Sequence, residues 1–333
     1  MKGSFFNEDR EFHEIAQRYQ PSSSPDQLVY HYTNSCGLLG ISQTQELWAT
    51  HFQDTNDAQE VQYGIDLTLA NIEGKLSGND SKQPAVSLDT FFDDVTLKPS
   101  EALLRVGAET LRDGRLFTEF YELYLTCFSL NGNSLSQWRA YADDARGFAI
   151  GLPSSNLRNL PNGFDLGADS LDLLDVVYEP EIQNRLIDEV ILMVTSRCDA
   201  AAEKIESSER KRFLIDFNSY LVSCVIRIAV HLKHPGFHEE QERRRIYAKK
   251  MNTSNDEAAP NLVRTRASSS GLIRFLPLSI RDGAGRVPIE EIIIGPKAES
   301  GQAAEGAQYE VKNLFTQNEQ QIPPFIPSGI PYR

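Results

Sequence analysis

Strand-like runs fall in three separated groups along this chain, near residues 28–50, 125–178 and 239–294. Helical stretches lie between them without regular strand–helix alternation. That arrangement predicts an α+β fold with a largely antiparallel sheet. A doubly wound dinucleotide fold is disfavoured, because no Gly-x-Gly-x-x-Gly follows a strand. Phosphate-loop and His-Glu-x-x-His patterns are missing too. Phe12, Ile15, Ala16 and Tyr19 stand at helical spacing, and Pro21 to Pro25 reads as a linker. Residues 1–26 are therefore expected to form an N-terminal helix and linker, with 27–333 as a single α+β domain. A helical insert is expected over about 180–233, ended by His234-Pro235-Gly236. The polar stretch of about 252–270 reads as a flexible loop. It would join a strand over 239–251 to a returning strand over 271–278. Four prolines in 322–333 restrict that tail to an edge strand or an extended cover.

Composition removes several classes of function. No apolar run approaches the roughly 20 residues that span a bilayer, so the expectation is a cytoplasmic protein with no membrane partner. Acids follow the short apolar start at once, which does not suit a signal peptide. Cys36, Cys127, Cys198 and Cys224 include no Cys-x-x-Cys pair, which argues against structural zinc and for reduced, mostly buried thiols. A net charge of −14 repels phosphate backbones and argues against a general nucleic-acid binder. It leaves room for a local basic groove. Arg210 to Arg212 read as a solvated helix face, and Arg243 to Arg245 with Lys249 and Lys250 form a second cluster.

Four constellations can carry chemistry. In Tyr30-His31-Tyr32-Thr33 a strand puts His31 and Thr33 on one face, which suits a ribose contact. Leu47 to Thr50 reads as a strand with Trp48 in the core, and Asn56 or Asp57 caps the helix that follows. Cys127-Phe128-Ser129 closes a strand with a hydroxyl. Trp138 and Tyr141, three residues apart on the next helix, are either core or a stacking wall for a planar ring. Glu240, Glu242 and Arg244 share one face of a strand; a carboxylate pair two residues apart can raise one pKa and leave the other ionised, and beside Arg244 one is instead held charged. The competing reading of this last segment is an exposed edge strand with alternating charges.

Taken together, these blocks resemble a bacterial family catalogued as a domain of unknown function, DUF2971. They are Tyr30 to Thr33, Gly37 to Ile41, Leu47-Trp48, Asn56-Asp57 with Glu60, and Cys127 to Ser129. Ser134, Trp138, Tyr141, Gly147-Phe148 and Ile150 continue the likeness. Phe237, Glu240, Glu242 and Arg244, then Ile289 to Pro296 and Ser328 to Arg333, complete it over about Val29 to Arg333. More distantly, a His-bearing first strand and a late Glu-x-Glu are similar to ADP-ribosyltransferases of the His-Tyr-Glu type. That likeness implies a split antiparallel sheet with NAD as cofactor and substrate. It implies that His31 holds a ribose of NAD and that Glu242 or Glu240 meets the 2′-hydroxyl of the nicotinamide ribose. Tyr141 or Trp138 would stack on nicotinamide, and Ser129 would stand where a related branch has a serine. No metal is required. Arg244 or Arg139 is suited to the pyrophosphate.

The expectation is an NAD-using ADP-ribosyltransferase-like enzyme, a toxin or phage-defence effector by analogy, acting on a protein, nucleic-acid or small-molecule acceptor. Two rivals stand beside it. One is a metal-dependent nucleic-acid-cleaving enzyme built on Glu240 and Glu242, with the Arg243 to Lys250 run tracking a backbone. The other is a non-catalytic binding or sensor protein.

Overall fold

The structure is a computed structural model that describes residues 10–19, 27–54, 58–76, 94, 96–113, 121–158, 173–250, 263–268, 271–298 and 302–332. Its strands are β1 (Leu28–Thr33), β2 (Glu46–His51), β3 (Tyr121–Ser129), β4 (Phe148–Pro153) and β5 (Leu174–Asp175). They continue with β6 (Glu242–Lys250), β7 (Arg264–Ser268), β8 (Gly271–Ser279), β9 (Glu291–Ile294) and β10 (Phe325–Pro327). All belong to one open sheet, antiparallel except where β10 runs beside β9. The fold is thus mixed helix and strand on a mostly antiparallel sheet, as the spacing of the strand groups implies. The proline-rich tail supplies β10 at one outer edge, where missing N–H donors cost least.

The sheet forks at β3. Along one edge, β3 pairs with β6 over its whole length, from Tyr121 opposite Lys250 to Ser129 opposite Glu242. Its other edge is shared. Tyr124 and Leu125 pair with β2, whereas only Ser129 is in register with β1. The arm of β1, β4, β9 and β10 therefore leaves β3 at one end, and the arm of β2, β8 and β7 leaves at the other. Thr126, Cys127 and Phe128 face the gap between the arms.

The two largest of four apolar clusters among the described residues hold this arrangement. Helices Ala58–Leu76, Pro99–Arg112, Pro180–Ala202 and Arg210–Ala229 pack together with Arg10–Arg18 and close on Leu123, Leu125 and Ile246. Pro99 and Pro180 occupy first helical positions, where a missing N–H is harmless. The apolar run over 220–232 is buried because its helix lies inside this layer. On the first arm, helices Ser35–Thr44 and Gln302–Gln317 cover Val29, Phe148, Ile150, Ile292 and Ile294. Asn34 caps the former helix, its side chain accepting from the Gly37 amide at 2.8 Å.

Three expectations need correction or lie elsewhere. Residues 264–268, inside the stretch read as a flexible loop, form β7 and pair with β8. The strand that begins at Glu242 pairs with β3 and β5 rather than with β8, so no long hairpin forms. The charges of β6 mask its destination: Arg243, Arg244 and Arg245 are 1%, 0% and 2% exposed, which overturns the reading of an exposed, alternating edge strand. The linker at Pro21 to Pro25 and the caps Asn56 and Asp57 lie outside the described residues. Cys198 and Cys224 are buried, Cys127 is half-buried and Cys36 is exposed, and none of the four is in a disulfide. No helix among the described residues is long and apolar enough to cross a membrane.

The close approach of the helix Ala58–Leu76 to Arg210–Ala229 gives a paired test. A Cβ at Gly64 would stand 2.5 Å from the Ala229 carbonyl oxygen, whereas one at Gly74 meets nothing within 4 Å. Gly64→Ala should lower unfolding free energy by about 1–3 kcal/mol through overpacking. Gly74→Ala should raise it by up to about 1 kcal/mol through helix propensity. Urea denaturation of both variants checks the contrast.

Candidate active site

At the fork lies a cavity of about 170 Å³. The β1 arm supplies Tyr30, His31 and Tyr32, and β2 supplies Trp48 and Thr50. The gap-facing part of β3 forms the floor, and Tyr141, Glu240 and Glu242 complete the wall. The volume is below the roughly 300–1,000 Å³ of sites for drug-sized ligands. It suits a ring and part of a sugar, with the remainder of a larger ligand lying across the mouth.

Glu240 and Glu242 do not share a strand. Glu240 ends the 3-10 turn Pro235–Glu240, and Gln241 adopts a left-handed conformation, φ 44° and ψ 51°, before β6 starts at Glu242. Such strained backbone persists only where its surroundings hold it, and here three bonds do so. Ser129 Oγ donates to the Glu240 carbonyl at 2.7 Å, and the Leu130 amide donates to the Gln241 carbonyl at 2.9 Å. The Glu242 amide donates to Tyr178 Oη at 3.0 Å. The two carboxylates are thereby set at the cleft by backbone anchors on both sides.

Their side chains converge on Lys233, which follows the helix Arg210–Ala229 and is 1% exposed. Its ammonium contacts Glu242 at 2.9 Å, Glu60 at 2.9 Å and Glu240 in a closer pair. Arg244, fully buried, donates to Glu242 at 2.6 and 2.9 Å, to Glu60, and to the Val230 carbonyl at 2.9 Å. Two cations thus face three carboxylates. Burial alone would raise the Glu242 pKa, but Arg244, then Lys233 and the Cys127 thiol, outweigh it and hold the group at about 2. Glu240 moves the opposite way. Burial, aided by the neighbouring Glu242 and Glu60, raises its pKa despite Lys233. The pair is split into a permanent anion and a carboxyl that takes a proton more readily, the arrangement that separates acid–base roles. Burial lowers the Lys233 pKa in isolation, but Glu242 and Glu60 raise it on balance, so the ammonium stays charged. It occupies the point where a divalent cation would bridge these acids, and among the described residues no acidic or histidine cluster is arranged to hold a metal.

His31 lies across the gap, its Nδ1 3.2 Å from the Cys127 carbonyl oxygen. Burial lowers its pKa, with the Cys127 carbonyl opposing, so the ring is neutral near pH 7. A carbonyl only accepts, so Nδ1 carries the proton and Nε2 is left as an acceptor, suited to a hydroxyl. Tyr30 donates to Glu291 at 2.9 Å, and Tyr32 donates to the Asn131 carbonyl at 2.7 Å. Burial, then the Glu291 bond, pushes the Tyr30 pKa up to about 12, so it remains a neutral phenol.

The other expected site residues separate clearly. Tyr141 is 48% exposed and borders the cleft, whereas Trp138 is fully buried against Tyr32 with its indole N–H on Asn133 Oδ1 at 2.9 Å. Trp138 is therefore core, and Tyr141 is the aromatic of the pair that a ligand can reach. Ser129 borders the cleft but spends its hydroxyl on the Glu240 backbone and on accepting from the Asn131 amide. Thr33 lies outside the cleft lining, packed where a Cβ on Gly37 would fall 1.9 Å from its Oγ1. Arg244 is consumed by the buried cluster, and Arg139 is exposed outside the lining. Arg243 pairs with Asp175 in the interior. The basic run expected to track a nucleic-acid backbone thus has its three arginines inside the protein. Lys233 carries no spacing signal that singles it out for a site, and Glu60 stands out only as part of the Asn56-Asp57 block. Trp48, read as core, is 37% exposed and stacks on Phe275 at 4.4 Å while lining the cleft.

Removing the central cation should be costly. Lys233→Met leaves buried Glu242 and half-buried Glu60 and Glu240 facing Arg244 alone and should cost about 3–5 kcal/mol at pH 7. The deficit should shrink on acidification, because the carboxyls protonate. In the unaltered protein the sign is opposite. Glu242, depressed from 4.5 to about 2, contributes stability that is complete above about 4.5 and lost as pH falls through 2. Denaturation of both proteins between pH 3 and pH 7 checks the two slopes.

Residues 137–245 match the model of a family described as "Protein of unknown function (DUF2971)". That span runs from Gln137 on the cleft wall through Lys233, Glu240 and Glu242 to Arg245. No curated protein and no solved structure matches the chain.

Proposed function

We propose that this protein is an NAD-using enzyme of ADP-ribosyltransferase-like type, with its reaction centre in the cleft at the fork of β3. The observation that carries this reading is the gathering of His31, Tyr141 and Glu242 around one cavity, from three segments far apart in sequence. In this reading nicotinamide stacks on Tyr141. The ribose is held between His31 Nε2, which accepts from a hydroxyl, and Glu242. The C1′–N bond breaks, its electron pair leaves with nicotinamide, and the ribose becomes oxocarbenium-like. A carboxylate fixed as an anion and unable to swing away stabilises that charge. Glu242, clamped by Arg244 and Lys233, has that character. Glu240, with its raised pKa, takes the proton from the attacking hydroxyl of an acceptor or of water. Transfer and hydrolysis then differ only in which nucleophile arrives. By analogy with bacterial enzymes of this type, the role we assign is that of a toxin or a phage-defence effector.

The test is nicotinamide release from NAD by the purified protein, alone and with cell lysate. Release is expected, and Glu242→Gln should reduce it by at least about 10²-fold, with thermal unfolding recorded to confirm that the variant folds. Absence of both release and NAD binding in the unaltered protein, with or without lysate, would sink the reading.

A further inference from the structure

Most arginines near the cleft are already committed: Arg243 to Asp175, Arg244 to Glu60 and Glu242, and Arg274 to Asp54. Arg266 on β7 differs. It is half-buried, its Nε is buried without a partner, and it makes no hydrogen bond or ion pair among the described residues. Arg227 also lacks partners for two nitrogens, but Phe12 covers its guanidinium at 3.8 Å deep in the helical layer, where no ligand reaches.

Register fixes where Arg266 stands. It lies opposite Ile273 on β8, and further along β8 Phe275 and Pro277 lie opposite Thr50 and Trp48 of β2. Residues directly opposite in a ladder share a face, as do residues two apart on one strand. Arg266, Thr50 and Trp48 therefore share the face on which Trp48 and Thr50 line the cleft. The Arg266 guanidinium sits 5.5 Å from the centre of the Trp48 ring, which in turn rests on buried Phe275. Its charge is felt at His31, on the opposite arm of the fork. A three-deep stack thus holds a cation beside the Trp48 wall of the cleft, with no carboxylate paired to it among the described residues.

A half-buried cation without a partner is costly unless something anionic joins it. The protein as a whole carries a net charge of −14 and repels anions, so an anionic ligand needs a fixed local cation. A guanidinium presents a planar fork matched to phosphate oxygens. We propose that Arg266, held on Trp48, is the anion-binding residue of the cleft and takes a phosphate group of a phosphorylated ligand. This deepens the NAD reading, resting on the same cleft, and gives the pyrophosphate end an arginine that neither Arg244 nor Arg139 supplies.

Calorimetric titration with ADP-ribose, inorganic pyrophosphate and adenosine separates the possibilities, using the unaltered chain, Arg266→Gln and Arg266→Lys. The unaltered protein should bind ADP-ribose at least about tenfold more tightly than adenosine, the size expected for one charge-assisted contact. Arg266→Gln should erase that preference and leave adenosine binding unchanged, and Arg266→Lys should retain part of it. Equal ADP-ribose affinity in Arg266→Gln and the unaltered protein would overturn the proposal, as would no preference for the phosphorylated ligand in the unaltered protein. Should pyrophosphate and ADP-ribose binding depend on Arg266 while NAD yields no nicotinamide, the anion site stands and the NAD reading falls. Nicotinamide release with a KM that Arg266→Gln leaves unmoved would do the reverse.

Discussion

The ammonium of Lys233 is the point on which the site depends. It draws together Glu60 from a helix of the helical layer, Glu240 from a 3-10 turn and Glu242 from the first position of β6. Burying a charge is expensive unless it is paired and hydrogen-bonded, and here each charge has at least one partner of the opposite sign. Burial acts on both Glu240 and Glu242, and which way each shifts depends on the cations that oppose it. Burial, with Glu242 and Glu60 beside it, shifts Glu240 up against Lys233 alone, whereas Arg244 and Lys233 together shift Glu242 down. His231, buried beside Arg244 and Arg227, is pushed down to about 3, by burial first and the arginines second, and adds no further cation.

The fork of the sheet turns this cluster into a site. An antiparallel sheet normally leaves no room between paired strands, since both edges of each interior strand are occupied. Here β3 pairs Tyr124 and Leu125 with β2 and only its last residue, Ser129, with β1, so the three residues between them face a gap. His31 bridges the gap to Cys127, and the strained Glu240–Gln241–Glu242 segment is pinned against its rim by Ser129, Leu130 and Tyr178. Strain of this kind clusters where geometry serves function. The rim is also where aromatic side chains stay accessible, with Tyr141 on one side and Trp48 on the other.

Local pattern made much of the framework legible. Aromatic and β-branched runs mark β1, β2, β3 and β4, helical spacing marks the pair of long helices after Pro180, and prolines mark the tail as an edge. The late acids, His31 and Tyr141 stand out by residue type. What stayed hidden depends on long-range pairing. Arg243, Arg244 and Arg245 look solvated because a charged run usually is, yet Asp175, Glu242, Glu60 and Tyr247 receive them in the interior. Lys233 follows a helix just before a stop signal, a place where lysine is ordinary. Trp138 and Trp48 exchange expected places because burial is decided by the layer above each strand, which no local window contains. Arg266 sits in a segment whose polarity resembles a loop, and its pairing with β8 is what makes it a strand.

The account is tested most directly by an experimentally determined structure of the Glu242→Gln protein soaked with NAD. The central claim requires the nicotinamide ring against Tyr141 and the adjoining ribose between His31 and residue 242, within the gap of β3. Density for NAD at any other place on the protein, with the fork empty, would contradict it.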